Sequence, residues 1–265
     1  MKIVTLGSGS KGNCTVVATD NTALLIDAGL PIHEIETKLV SLGISPTNID
    51  AILVTHEHSD HIKSIDRFSK KYGTRVYAHN SEWPALNTKF KYIEPQNKIA
   101  FDDNDFFVGD MTVSNFKLSH DSYYCVGYSI YHQGAKFSIA TDLGVCTPQI
   151  IEKLKGSNIV LLEANHDEIL LANNSRYPVT LKRRILSSKG HLSNKASADV
   201  ISQLVGGTNQ IILGHLSEEN NSPVHAYNQI KAFLAQKGII EGKNIFIDVA
   251  TQHRIGNIFE IKNKN

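Results

Sequence analysis

The sequence predicts an α/β protein built as a four-layer αββα sandwich, two β-sheets packed face to face with helices outside. Short apolar strands alternate with amphipathic helices along most of the chain, and each half runs from a strand meander into helix-and-strand alternation. No linker, low-complexity tract or short-period repeat interrupts the 265 residues, so 1–265 is expected to form a single domain with one substantial core.

The elements follow in order. "KIVTL", "CTVVAT" and "TALLIDAG" read as three strands joined by turns, the second and third through "DN". Pro31 opens a helix in which Ile32, Ile35, Leu39 and Leu42 recur at helical spacing until Gly43 stops it. "AILVT" is a buried strand, and "IKSIDRFSKKYG" a helix after it. His79, in "YAHNSEW", reads as a strand-end residue and Trp83 as an apolar anchor. From 101 to 141 the pattern is strands: "DFFVG", "MTVSNFKLSH", "CVGYSIYH" and "AKFSIATD". A helix from about Pro148 to Lys155, the strand "NIVLLEA", helices near 179–188 and 194–205, the strand "QIILGH", a helix near 223–237 and the strands "NIFIDVA" and "NIFEIK" complete the chain.

Composition excludes several classes. With Lys+Arg 27 against Asp+Glu 26 the net charge is +1, so any grip on a polyanion must come from a local patch. No run approaches the roughly 20 apolar residues that span a bilayer, and the N-terminus turns glycine-rich too early for a secretory signal, which excludes a membrane role. Cys14, Cys125 and Cys146 are too scattered for a disulfide framework, pointing to the cytoplasm.

The stretch "LVTHEHSDHI" crowds three histidines and an aspartate directly after a strand. Imidazole with carboxylate is a ligand set for zinc, manganese or iron. His56 and His58 could grip one ion from one side of the loop while Asp60 and His61 reach a second. Further candidates close later apolar strands, where a sheet presents residues at one edge: His120 in "KLSHDS", Asp142 in "IATDLG" and His215 in "ILGHLSEEN".

This set resembles the metallo-β-lactamase superfamily, whose HxHxDH motif would be His56, His58, Asp60 and His61. The resemblance implies two divalent ions per chain, zinc or manganese with iron also compatible. His56, His58 and His120 would hold one, Asp60, His61 and His215 the other, and Asp142 would bridge them. Asp27 in "LLIDAG" matches the carboxylate that steadies the histidine loop. His166 and Asn13 are supporting candidates, Asn13 because it ends the glycine-rich turn "GSGSKGN", which could equally be a plain connection between strands. His58 stands where oxygen-reducing relatives carry Glu, and Asp142 where many β-lactamases carry Cys, so the resemblance favours hydrolysis of another substrate.

A second Gly-His-Leu-Ser, at 190–193, is separate from the one at 214–217. Nucleases and phosphodiesterases of the superfamily place an additional histidine here, held by an upstream Glu, which would be His191 and Glu163. The alternative for His191 is a residue preceding a Ser193 or Asn194 helix cap, which explains Ser193 without explaining the histidine. Between Glu168 and Asp199 there is no acidic residue but six basic ones, Arg176, Lys182, Arg183, Arg184, Lys189 and Lys195. Such a strip suits a nucleic-acid backbone or a solvated helix face. His191, Ser193, Asn194, Lys182, Arg183 and Lys189 are thus the expected substrate contacts.

"GSGSKGNCTVV", "LLIDAGL", "VTHEHSDHI", "ATDLG", "LLEANHD", "YPVTLKRRI", "GHLSN" and "LGHLSEENN" together resemble the bacterial YycJ (WalJ) family over about residues 1–260. That implies a metal-dependent exonuclease degrading double-stranded DNA from 5′ ends in repair, with DNA as substrate, DNA-repair proteins as partners, and Asp60, Asp142, His191 and Glu163 as catalytic residues. The 72 residues between Asp142 and His215 are too few for a large inserted clamp domain. One alternative is a phosphodiesterase on cyclic or small nucleotide diesters, marked by activity insensitive to salt. Another is a DNA- or protein-binding adaptor with structural metals, marked by closed coordination. The residues themselves leave the metal, the strand polarity and the oligomeric state open.

Overall fold

The computed structural model describes residues 1–262; the last three residues of the expected 1–265 domain lie outside the described residues. In the first half, β1 (Lys2–Gly7), β2 (Cys14–Ala18) and β3 (Ala23–Ile26) form an antiparallel meander, and β4 (Ala51–Leu53), β5 (Arg75–His79) and β6 (Lys98–Phe101) continue it in parallel. The second half repeats the plan. β7 (Phe106–Val108), β8 (Met111–Lys117), β9 (Val126–His132) and β10 (Ala135–Ala140) are antiparallel, and β11 (Ile159–Glu163), β12 (Gln210–Gly214) and β13 (Phe246–Val249) add in parallel. The final strand β14 (Phe259–Glu260) returns to pair with β1, so the described residues form two seven-stranded sheets.

Three apolar clusters make the four layers. Ile3, Leu24, Tyr128, Phe137 and Leu161 fill the space between the sheets. Leu39 from α1 (Ile32–Ser41) and Phe68 from α3 (Ile65–Tyr72) pack on the outer face of the first sheet, as does Leu86 from α4 (Trp83–Lys89). Helices α5 (Pro148–Leu154), α8 (Asn194–Leu204) and α9 (Pro223–Gln236) cover the second through Leu154, Ile201 and Ile230. Side chains cap the start of all three: Thr147, Ser193 and Ser222 each accept a backbone N–H three residues on. The predicted sandwich is therefore the observed one. Among the described residues no helix is long and apolar enough to cross a membrane.

The element order differs from expectation in two ways. The helix expected over 62–73 is two pieces, α2 (Ser59–Ile62) and α3, because Ser64 turns back to the first sheet, its N–H on the Ala28 carbonyl at 2.9 Å and its hydroxyl on Leu30 at 2.6 Å. The helices α4 and α6 (Glu168–Asn173) and the strand β6 are additional to the expected order. Each is short and partly exposed, giving little periodic signal.

Candidate metal centre

The parallel strands of both sheets end at one edge, the usual place for a site in such sheets. Asp27 follows β3, Thr55 and His56 follow β4, Asp142 follows β10, Glu163 ends β11 and His215 follows β12. Asp27, Asp142 and His215 have φ of 59°, 65° and 52°, left-handed backbone that is unusual without glycine and that collects at functional sites. Surrounding bonds hold these turns: the N–H of Asp27 donates to Leu53 at 2.9 Å and that of His215 to the Ser8 hydroxyl at 2.8 Å.

The sequence candidates converge there. His56, His58 and His120 present ring nitrogens within 4.8 Å of one another, as do donor atoms of Asp60, His61 and His215, and of His56, His61 and Asp142. Asp142 lies between the groups, 3.2 Å from His61 Nε2 and 3.3 Å from His215 Nδ1 on one side and 3.8 Å from His120 Nε2 on the other. His56 Nε2 is buried without a hydrogen-bond partner, and His58 Nδ1 faces His120 Nε2 at 3.3 Å. Converging imidazole nitrogens, with His56 Nε2 and Asp142 Oδ2 both buried and unspent, fit divalent cations better than they fit each other.

Electrostatics agree. Burial and the neighbouring histidines push His56 well below the usual imidazole range, and burial also lowers His120, which favours the neutral, ligating form. Burial opposes charge on His61 too, yet Asp142, Asp27 and Asp60 lift it well above its ordinary value; His215 is likewise raised to about 10, by Asp142, Asp60 and Glu163 against its burial. The carboxylates at this edge thus favour positive charge beside them.

The surrounding contacts are specific. Asp27 accepts from the Thr55 N–H and hydroxyl, both at 2.8 Å, and its Oδ2 is 2.7 Å from His61 Nδ1, fixing that ring with Nε2 toward the cluster. The Asn13 amide is 3.0 Å from His61 Nε2 and 3.3 Å from Asp60 Oδ2, while its own N–H donates to the Asp60 carbonyl at 2.8 Å. The glycine-rich turn therefore braces α2. Glu163, wholly buried, touches more than expected: Oε1 lies 2.7 Å from His191 Nδ1 and 2.9 Å from His215 Nδ1, and Oε2 accepts the N–H groups of Leu143 and Leu192. Burial would raise it, but the two histidines bring it down to about 2.

His191 is half-buried at a cleft of about 160 Å³ lined also by Ser10, Tyr177, Arg184 and Ser217. Arg184, on α7 (Val179–Ile185), pairs with Asp121, whose Oδ1 is 3.4 Å from His120 Nε2. Ser10, Tyr177 and Asp121 are not singled out by the sequence; each sits beside other polar residues in a loop, without spacing to mark it. Several of the expected substrate contacts do not line this cleft. Ser193 is spent capping α8 and bonding Glu168 at 2.8 Å, and Asn194 is buried in an amide network with Asn221 and Gln229. Lys182 donates to the Ala172 carbonyl, exposed Arg183 does not line the cleft, and Lys189 lines a separate depression together with His120. Consecutive residues on a helix diverge, so a basic run cannot all face one way. His166 is buried with neither ring nitrogen hydrogen-bonded, so it does not brace a candidate ligand through a hydrogen bond.

Two mixed sheets with a histidine and aspartate cluster at the strand ends define the metallo-β-lactamase fold and the metallohydrolase class of enzymes. Residues 22–216 match the β-lactamase superfamily domain. The chain is 37% identical over 243 residues to the exodeoxyribonuclease YycJ of Bacillus anthracis, covering 90% of each chain, and 37% identical over 235 residues to the exodeoxyribonuclease WalJ of Streptococcus pneumoniae, covering 87% of each. It belongs to the β-lactamase superfamily and, within it, to the YycJ/WalJ family. The crystal structure of the metallo-β-lactamase fold protein YhfI from Bacillus subtilis superposes with a TM-score of 0.73 at 16% identity over 97% of this chain and 98% of that one, a likeness of fold.

Proposed function

We propose that this chain is a binuclear metal-dependent exonuclease that degrades double-stranded DNA from 5′ ends in cytoplasmic DNA repair, as a single domain gripping DNA with its own loops. The observation that carries the reading is His191, held by buried Glu163 at 2.7 Å, lining the cleft with its ring 5.2 Å from those of His120 and His215. The family relatives named exodeoxyribonucleases support DNA as the substrate.

His56, His58 and His120 would hold one ion and Asp60, His61 and His215 the other, with Asp142 between them; zinc or manganese suits these donors. Such ions, when bound, polarise phosphoryl oxygens and acidify water. The protein's own part is positional. Asp60 and Asp142 orient the attacking water. Glu163 engages His191 Nδ1, leaving Nε2 to donate a proton to the departing oxygen. Arg184, restrained by Asp121, offers the cleft a cation for a phosphate. Linear duplex labelled separately at its 5′ and 3′ ends, treated with stripped protein reloaded with Mn²⁺ or Zn²⁺, should lose the 5′ label first. If neither label is released under any metal while a chromogenic phosphodiester is cleaved, the DNA reading fails.

A further inference from the structure

Beside the candidate centre lies a larger cavity, about 510 Å³, that the chemistry above leaves unused. It adjoins the His191 cleft, because Ser217 lines both. It also adjoins the candidate ligands: Ser8 lines it while accepting the His215 N–H at 2.8 Å. Its volume is in the about 300–1,000 Å³ range of small-molecule sites. It is therefore large for a phosphate alone.

The walls indicate what it would take. By area they are mostly apolar, and the side chains of Gln252, Asn221 and Thr251 are committed to other parts of the protein. Gln252 accepts from the Lys11 N–H at 2.9 Å and donates to the Gly12 carbonyl at 3.0 Å; the Asn221 amide donates to the carbonyls of Ala164 and Asn165; the Thr251 hydroxyl donates to that of Arg254. A flat, apolar-faced ring could enter and be held by contact, without a fixed set of hydrogen bonds to discriminate among bases. At the mouth, exposed Arg254 supplies a cation, whereas Lys11 and His253 are both drawn to Glu218, at 2.5 and 3.0 Å. A nucleoside carries such a ring and, on its sugar, a phosphate that can reach the adjoining cleft.

We infer that this cavity holds the nucleoside attached to the scissile phosphate and accepts any of the four bases, an inference that rests on the nuclease reading. It separates two tasks on either side of Ser217: the smaller cleft takes the phosphate and its leaving oxygen, and the larger cavity takes base and sugar. The nuclease can then advance along DNA of any sequence.

The test is an abasic scan with the metal-loaded full chain. A stable abasic residue is stepped through the first four positions from either end of a duplex, and the first cleavage is timed. At one position its presence should slow wild-type cleavage about tenfold or more, through KM, as expected for losing a base contact. Thr251→Trp and Pro223→Trp, which fill the cavity from two segments, should reduce that ratio to about threefold or less. The ratio is internal to each preparation, so partial loss of folded protein cancels. A wild type that digests normal duplex and shows no sensitive position overturns the pocket and leaves the nuclease reading standing; filled variants that keep the wild-type ratio also overturn it. A wild type that hydrolyses a chromogenic phosphodiester but no duplex overturns both readings.

Discussion

Among single residues, Glu163 has the widest reach, because one buried carboxylate contacts two histidines to which the proposed function gives different tasks. Its second oxygen is fixed by two backbone N–H groups, so it cannot swing to favour either ring. Glu163→Gln keeps the shape and removes the charge. We expect metal affinity and DNA cleavage each to fall about 10–100-fold, the usual consequence of losing a carboxylate behind a ligating histidine. A competition titration with a metal indicator reads the first quantity independently of the second; unchanged affinity would show that Glu163 serves His191 alone. The role of His191 separates by leaving group. His191→Ala should slow DNA cleavage about 10²–10⁴-fold, the range for a lost general acid, while leaving a p-nitrophenyl phosphodiester within about fivefold, since that group departs as an anion unaided. Equal losses on both would make His191 a phosphate contact instead.

The elements that frame the site are set by tertiary contacts as much as by local propensity. A Cβ on Gly29 would meet the Asp60 carbonyl oxygen at 1.6 Å, so the turn after β3 must be glycine for α2 to dock. On the other side, Asp167 caps α6 through the Leu170 N–H at 2.7 Å and reaches His225 and Gln229 of α9. Burial works against its charge, but these donors hold its carboxyl below the usual range. A depressed folded pKa means stability that is present above the unfolded value of about 3.9 and is lost as pH falls through the folded one. Asp167→Ala should therefore cost about 1–2 kcal/mol near neutral pH. Urea titrations of both proteins should converge as pH drops below about 4, and a gap independent of pH would assign the loss to packing. The same contrast explains what could be read in advance. His56, His58, Asp60 and His61 were legible because four ligand types crowd one loop, and the strands and long helices because their apolar residues repeat. The break between α2 and α3 was not, since it depends on Ser64 finding carbonyls of residues 28 and 30. Nor was the inward commitment of Asn194, whose partners Asn221 and Gln229 are distant in sequence.

For the whole molecule, the decisive feature is that each sheet supplies only part of the candidate centre. His56, His58, Asp60 and His61 follow the first sheet's strand β4, whereas His120, Asp142 and His215 come from the second sheet's segments. Besides the core between the sheets, polar links cross this edge; among the described ones are the Val126 N–H on the Thr55 carbonyl at 3.1 Å, the Tyr128 hydroxyl on the Val54 carbonyl and the His215 N–H on the Ser8 hydroxyl at 2.8 Å. Ions held by both sets would clip the two halves together where carboxylates otherwise crowd. Linkage then ties stability to metal supply: free ion at about 1,000 times its dissociation constant adds about 4 kcal/mol. For a chain of this size each kcal/mol moves Tm by about 2–4 °C, so stripping with chelator should lower Tm on the order of 10 °C, and reloading should restore it. His215→Ala removes a donor from the second sheet only. It should reduce the metal-dependent gain while leaving the stripped Tm within about 3 °C of wild type, because the buried core that joins the sheets is unchanged. A stripped protein that melts with the loaded one would mean that the ions bind within one half, and the division of ligands between the sheets would then have no part in holding the sandwich closed.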